Sequence, residues 1–222
     1  MASRVVVAVA LVLLVASGAY AESSEQTIRR TLHAASVTLE EVGCSGVLAA
    51  TPDIVLTARH CVEREGQDLH VRFTDGTRRS AWVEAIDRDA DQALLILDEP
   101  VAITPLVVAR RRQISGTVLY FEGNPAKPRF QRARLDHIGR CPSLPNLPNA
   151  LFTSIHGVPG DSGAPLVDAA VRVVGLVHGG AQCEIATPAE TLARLLDRVF
   201  DADRDAPVHA RGRARARSAA RG

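Results

Sequence analysis

The feature that most constrains the fold is a series of short apolar segments separated by turn-forming residues, between about residues 37 and 185. Val47–Ala50 and Ile54–Leu56 flank the turn Thr51–Asp53, and together they predict a β-hairpin. Strands at this spacing, without helical periods between them, are typical of an all-β sandwich or pair of barrels. The other predicted strands are Leu69–Phe73, Ala81–Ile86, Ala93–Leu97, Thr117–Phe121, Leu151–Ser154, Pro165–Asp168 and Val171–His178.

One helix is predicted after these strands. Thr187, Pro188 and Glu190 match a capping box, with Thr as the cap and Pro at the first helical position. A one-sided apolar pattern then continues over residues 188–200, so the helix should pack back onto the sheets. Residues 201–222 are polar or small, and we expect a disordered basic tail there.

The N-terminus has the pattern of a secretory signal peptide. Arg4 precedes Val5–Ala16, an unbroken run of 12 apolar residues, and Ala19–Ala21 reads A-Y-A, a cleavage signal. Twelve residues are too few for a hydrocarbon core that needs about 20. We therefore expect residues 1–21 to be removed and the mature protein to be secreted or periplasmic, without a membrane segment.

The formal net charge of +1 hides an uneven distribution. Residues 207–222 contain five arginines and no acid, so the rest of the chain is slightly acidic. Nucleic-acid binding is therefore not expected of the body. The tail could be a solvated terminus or could bind an anionic polymer or membrane through Arg211, Arg213, Arg215, Arg217 and Arg221.

Four cysteines, Cys44, Cys61, Cys141 and Cys183, indicate two disulfides in an exported chain. Three pairings are possible on count alone. The absence of C-x-x-C spacing argues against a zinc ribbon or a thioredoxin-like site. No metal or organic cofactor is implied.

Three short motifs bring in chemistry: Thr57–Cys61 reads T-A-R-H-C, Asp91–Leu94 reads D-Q-A-L, and Gly160–Pro165 reads G-D-S-G-A-P. In this order they resemble the chymotrypsin/trypsin-like serine proteases, over about Gly43 to Val199. The resemblance implies two antiparallel six-stranded β-barrels with a C-terminal α-helix. The expected domain spans 22–200, with an N-terminal barrel at about 34–112, a C-terminal barrel at about 113–186 and the helix at 188–200.

The resemblance also implies a catalytic triad of His60, Asp91 and Ser162. Serine is a poor nucleophile at neutral pH, so His60 would take its proton and Asp91 would orient the imidazole. The N–H groups of Gly160 and Ser162 would form the oxyanion hole. The acidic positions that compete with Asp91 for its role are Asp87, Asp89 and Asp98.

In the family a disulfide joins the positions of Cys44 and Cys61, which leaves Cys141 to pair with Cys183. The chain lacks an I-V-G-G-like N-terminus whose amine could pair with Asp161. We therefore expect another cation to satisfy Asp161, and Arg140 is the candidate.

Specificity is harder to infer. In this fold the base of the primary pocket lies six residues before the nucleophile, which is His156, and His178 and Gly180 fall on the strand that pairs with substrate. The absence of an aspartate at His156 disfavours cleavage after Arg or Lys. The two histidines suggest, as one alternative, a preference for acidic side chains.

The expected function is therefore an exported serine endopeptidase that acts as a monomer on protein or peptide substrates. The rival hypothesis is a protease-like binding protein that keeps the fold without catalysis.

Overall fold

The computed structural model describes residues 24–123, 127–179 and 183–205. The signal peptide predicted at 1–21 and the tail beyond residue 205 lie outside these ranges. Twelve strands form two closed antiparallel barrels of six strands each, which confirms the predicted fold.

The first barrel has the strand order β1-β2-β3-β6-β5-β4. Pairing of β1 with β4, in which Val37 lies opposite Phe73, closes it. Its strands are β1 (Ser36–Leu39), β2 (Cys44–Leu48), β3 (Ile54–Ala58), β4 (Asp68–Phe73), β5 (Arg78–Asp87) and β6 (Gln92–Leu97).

The second barrel has the order β10-β11-β12-β9-β8-β7 and is closed by pairing of β10 with β7. Its strands are β7 (Val118–Gly123), β8 (Arg129–Gly139), β9 (Ala150–Thr153), β10 (Pro165–Val167), β11 (Val173–Val177) and β12 (Ile185–Pro188).

The burial of these strands follows from their sequences. In β4 exposed and buried residues alternate, because successive side chains of a strand point to opposite faces. By contrast, β3 and β11 are buried at every position, and Thr57 is the only polar residue in these two strands. The strands end just before the segments that carry His60 and His178, so the site described below stands on rigid, fully packed elements.

A C-terminal helix, α2 (Ala189–Asp205), follows the second barrel in the chain and packs against both barrels. Leu192, Leu195 and Leu196 pack in one apolar cluster with residues of both barrels. The helix starts one residue later than predicted, because Pro188 is the last residue of β12 and the Thr187 hydroxyl accepts a hydrogen bond from Gln92. It also extends past residue 200, so the first five residues assigned to the tail are helical.

An N-terminal helix, α1 (24–35), was not predicted. Ile28, Leu32 and Ala35 lie on one face of it and are buried against the first barrel. On the same helix His33 pairs with the buried carboxylate of Glu122 on β7. None of the helices in the described ranges is long and apolar enough to cross a membrane.

Candidate active site

His60 lies at the end of β3, in a short 3-10 helix over Arg59–Cys61. The disulfide between Cys44 and Cys61 ties this turn to the start of β2. In chain-entropy terms a loop of this size contributes about 3 kcal/mol of stability. The turn that carries His60 is therefore anchored both by a buried strand and by a covalent link.

Asp91 stands directly before β6, which pairs with β3. Its Oδ2 accepts a hydrogen bond from Nδ1 of His60 at 2.7 Å, and its Oδ1 accepts one from the His60 N–H at 2.9 Å. Its carbonyl also accepts the N–H of Arg59 at 3.0 Å. The φ of Asp91 is +51°, which an aspartate tolerates better than most residues. Backbone and side chain together fix Asp91 against the His60 turn.

The Asp91 carboxyl group is buried, with 4% of the residue exposed. Burial raises the pKa of Asp91, but hydrogen bonds from His178 and His60 outweigh that effect. Its pKa therefore lies below the ordinary value of 3.8. At neutral pH the group is a carboxylate that only accepts hydrogen bonds.

His178, at the end of β11, also binds this carboxylate. Its Nδ1 lies 2.6 Å from Oδ2 of Asp91, and its Nε2 lies 3.3 Å from the Ser143 hydroxyl. The His178 side chain is 11% exposed. The His178 side chain therefore packs on Asp91, and the place of His178 in the substrate pocket stays a prediction.

His60, Asp91 and His178 each bring one potential metal ligand to within 4.8 Å of the others. Two ligands of a tetrahedral zinc ion lie about 3.4 Å apart, given metal–ligand distances of about 2.1 Å. The separations of 2.6 and 2.7 Å are instead those of hydrogen bonds. The three residues therefore form a hydrogen-bonded cluster in which both histidine rings bind the Asp91 carboxylate.

Ser162 lies in the loop that leads into β10. The N–H of Asp161 donates to the carbonyl of Val158 at 3.0 Å, and Gly160 has a φ of +97°. A positive φ at the third residue is the mark of a type II turn, which glycine favours. Gly163, with a φ of +82°, has no room for a Cβ, which would lie 2.3 Å from the Ser45 carbonyl oxygen.

Ser45 on β2 holds this loop against the first barrel. Its N–H donates to the Ser162 carbonyl at 2.9 Å, and its hydroxyl donates to the Gly160 carbonyl at 2.5 Å. Its own carbonyl accepts the Thr57 hydroxyl at 2.7 Å. The residue next to Cys44 thus connects the Ser162 loop to the strand that carries His60.

The Ser162 hydroxyl points along β11. Its Oγ donates to the carbonyl of His178 at 3.4 Å, and a Cβ added to Gly179 would lie 3.3 Å from it. In the described part of the chain, Oγ makes no hydrogen bond to the His60 ring. Ser162 is linked to Asp91 through His178, whose carbonyl accepts from Ser162 and whose ring contacts the Asp91 carboxylate.

Asp161 is buried, with 1% of its side chain exposed. Its Oδ2 accepts hydrogen bonds from Nη2 of Arg129 at 2.7 Å and from the N–H of Val158 at 2.8 Å. The expected partner, Arg140, donates instead to the Pro145 carbonyl at 3.2 Å. Arg129 on β8 therefore replaces Arg140 as the cation that pairs with Asp161.

A cavity of about 320 Å³ opens beside Ser162. Ile155, Val177 and Ile185 form apolar walls, and Glu184 also lines it. His156, which was predicted as the pocket base, is absent from the described lining, and its side chain is 88% exposed. Gly180, the third predicted pocket residue, lies outside the described residues. Sequence reasoning missed Glu184, which directly follows Cys183.

The second disulfide joins Cys141 to Cys183, so both expected pairings are present. It spans 42 residues and connects the turn after β8 to the segment before β12. Ser143, the partner of His178, lies in that turn, and Glu184 lies in that segment. This disulfide therefore anchors both Ser143, which contacts His178, and Glu184, which lines the cavity.

Comparison with known proteins agrees with this architecture. The model of the trypsin-like peptidase domain family matches residues 44–176. No curated protein sequence matches the chain significantly.

Solved structures with a similar fold include Deg5, with a TM-score of 0.65, 21% identity and coverage of 78% of this chain and 92% of that one. The MamO protease domain from Magnetospirillum magneticum in its apo form gives a TM-score of 0.65, 19% identity and coverage of 74% and 96%. The Rv3671c protease of M. tuberculosis in its inactive form gives a TM-score of 0.62, with 23% identity and coverage of 77% of this chain and 91% of that one. Since the family model covers more than half of the residues, the chain belongs to the trypsin-like peptidase domain family.

Proposed function

We propose that this protein is an exported serine endopeptidase whose catalytic triad is His60, Asp91 and Ser162. The observation that carries the proposal is the 2.7 Å hydrogen bond between Nδ1 of His60 and the buried carboxylate of Asp91. Because the carboxylate can only accept, the proton of neutral His60 lies on Nδ1. Its Nε2 is then an acceptor, which is the form a general base needs.

In the proposed reaction, Oγ of Ser162 attacks the carbonyl carbon of the scissile bond, and its proton passes to Nε2 of His60. The imidazolium gives that proton to the departing amine, and the acyl group remains on Oγ. Water then attacks the ester by the same route in reverse and frees Ser162. Asp91 stays ionised and stabilises the imidazolium.

The N–H groups of Gly160 and Ser162 are proposed to bind the oxyanion. The positive φ of Gly160 and the turn that ends at Asp161 support this role. Among the described residues, neither N–H donates a hydrogen bond to another group, so both are available to substrate. Loss of one such donor costs about 10²–10³ in rate.

Before attack, Ser162 has to change rotamer. Its hydroxyl donates a long hydrogen bond of 3.4 Å to the His178 carbonyl, and breaking such a bond costs little. Catalytic hydrogen bonds are often long or misaligned in free enzymes and tighten when substrate binds. The hydrogen bond from Ser162 to the His178 carbonyl also favours the second candidate function. This is a protease-like binding protein in which the Ser162 hydroxyl never bonds to His60.

Export is proposed from the leader pattern at 1–21. The two disulfides support it, because such bonds persist in oxidising compartments. Mass spectrometry of the protein from a culture supernatant or periplasm should give a chain that begins at Glu22 and has no free thiol.

A fluorophosphonate probe tests the catalytic proposal. The oxidised protein should be labelled, and the label should disappear in Ser162→Ala and in His60→Ala. Ser115→Ala, which removes an exposed hydroxyl, is the matched control and should label like the wild type. Failure to label correctly disulfide-bonded protein would favour the binding protein, whereas labelling that survives in both variants would exclude this triad.

A further inference from the structure

We propose that Glu184 makes the cavity beside Ser162 a binding site for a basic side chain, so that the protein cleaves after arginine or lysine. This inference rests on the proposed function, since it assigns the residue on the amino side of the scissile bond. It reverses the sequence-based preference, which disfavoured basic side chains because His156 is not acidic.

Glu184 and Ser162 line the same cavity. A substrate side chain that enters it therefore places the following peptide bond beside the Ser162 hydroxyl. The opening is about 320 Å³, at the lower end of the volumes that hold small ligands, and it suits one long side chain.

The walls suit the stem of such a side chain. Ile155, Val177 and Ile185 are apolar and almost fully buried by the fold. Arginine and lysine bury their methylene stems on apolar surface and keep the charged end at a polar group. Among the described lining residues Glu184 is the only charged one, so it is the group that such an end would meet.

The charges around Glu184 leave its carboxylate available. Nδ1 of His156 lies 3.4 Å from its Oε2, and the two side chains are 88% and 53% exposed. An exposed pair of this kind contributes little, so an incoming guanidinium, which can bind both carboxylate oxygens, can displace His156.

The other nearby cation is already paired. Arg129 donates through Nη2 to the buried Asp161 and to the His156 carbonyl. Its charge is therefore offset by Asp161, and the cavity carries the net negative charge of Glu184. An acidic side chain in this cavity would face that charge unpaired, which argues against the acidic preference considered from the two histidines.

Matched peptides that differ only in the residue before the cleaved bond provide the test. With wild-type protein we expect kcat/KM for Arg and Lys to exceed that for Leu by at least about tenfold, with Glu the poorest. Glu184→Gln should reduce the advantage of Arg and Lys over Leu to less than about threefold. Glu99→Gln, which changes an exposed carboxylate elsewhere, should behave like the wild type.

A binding measurement separates this inference from the proposed function. p-Aminobenzamidine, a small aromatic cation, should bind Ser162→Ala protein with a salt-sensitive affinity that falls at least about tenfold when Glu184→Gln is added. If the protein binds p-aminobenzamidine through Glu184 but cleaves no peptide, the cation-binding role of Glu184 is supported and the proposed peptidase function is rejected. Ser162-dependent cleavage with no preference for Arg or Lys, or binding that Glu184→Gln leaves unchanged, would overturn the pocket and retain the peptidase.

Discussion

Nδ1 of His178 lies 2.6 Å from Oδ2 of Asp91, the same oxygen that Nδ1 of His60 approaches to 2.7 Å. Because Asp91 is ionised and can only accept, both rings carry a proton on Nδ1. Nε2 of His60 is then an acceptor, and Nε2 of His178 accepts from the Ser143 hydroxyl. One buried carboxylate thus sets the tautomers of two histidines.

The two rings meet edge to face, with centroids 5.4 Å apart. The Asp91 carboxylate accepts a hydrogen bond from each ring. His178 therefore helps to hold the Asp91 side chain in the orientation that binds His60.

Replacing His178 should therefore lower the activity. In His178→Ala the Asp91 carboxylate loses one hydrogen bond, worth about 1 kcal/mol, so we expect kcat/KM to fall about fivefold. In His178→Ser, a hydroxyl can restore the donor, so the loss should be smaller. The measurement is kcat/KM on one peptide at pH 7.

An unchanged kcat/KM in both variants would mean that the hydrogen bond from His178 does not position Asp91. Ser143→Ala is a milder probe, since it frees Nε2 of His178 but keeps the bond to Asp91. It should lower kcat/KM less than His178→Ala does.

The lowered pKa of Asp91 also predicts how stability depends on pH. A carboxyl group whose folded pKa lies below its unfolded value of 3.8 stabilises the fold above that value, and this contribution is lost as the pH falls through the folded pKa. Asp91→Asn should therefore reduce the acid-induced loss of stability below about pH 4. Urea unfolding at pH 3 and pH 7 measures it, and equal losses in both proteins would contradict the assignment.

The pair between Arg129 and Asp161 should matter for both stability and activity. Removing one partner of a buried ion pair costs about 3–5 kcal/mol, and Arg129 is one-third exposed, so we expect about 3 kcal/mol for Arg129→Met. For a chain of this size that corresponds to a fall in Tm of roughly 6–12 °C. The Ser162 loop would also shift, and a displacement of 1 Å can cost about 10²-fold in rate.

Arg140→Met is the matched control for this variant. Its side chain is exposed and donates only to the Pro145 carbonyl among the described contacts. Tm and kcat/KM should stay close to wild type. If the two variants had the same effect, the pairing of Asp161 with Arg129 would not be the one that stabilises the loop.

Local pattern predicted nine of the twelve strands and missed β1, β8 and β12. β3 and β6 are nearly continuous apolar runs, and these were identified from the sequence. By contrast, β8 has charged residues along its outer face and buries only Ala133 and Leu135 fully, so its pattern is weak. β1 has only four residues, and its burial results from pairing with β2 and β4.

In the site, too, the residues within local motifs were predicted, whereas contacts between residues far apart in the sequence were not. Short motifs identified His60, Asp91 and Ser162 as candidates, because each lies in a recognisable local context. The contact between Asp91 and His178 joins residues 87 positions apart, and that between Arg129 and Asp161 joins residues 32 apart. Such contacts depend on how the barrels close and pack, which no local pattern records.

Gly163 offers a test of the Ser162 loop. A Cβ at this position would lie 2.3 Å from the Ser45 carbonyl oxygen and 2.4 Å from the Thr57 hydroxyl, and the positive φ alone costs about 1–2 kcal/mol. Gly163→Ala should therefore lower Tm by more than about 5 °C and abolish fluorophosphonate labelling. Gly157→Ala, where a Cβ meets nothing within 4 Å, should leave Tm unchanged.

Helix α1 should be part of the folded domain, although no sequence pattern identified it. Leu32 is fully buried in the cluster that also contains Leu195 of α2, so Leu32→Ala leaves a cavity in the main core. We expect a loss of about 2–5 kcal/mol in the free energy of unfolding, with kcat/KM near wild type well below Tm. Arg30→Ala, at an exposed position of the same helix, is the control. Equal stability of the two variants in urea titrations would mean that α1 does not pack on the first barrel, because only a buried leucine leaves a cavity when it is shortened.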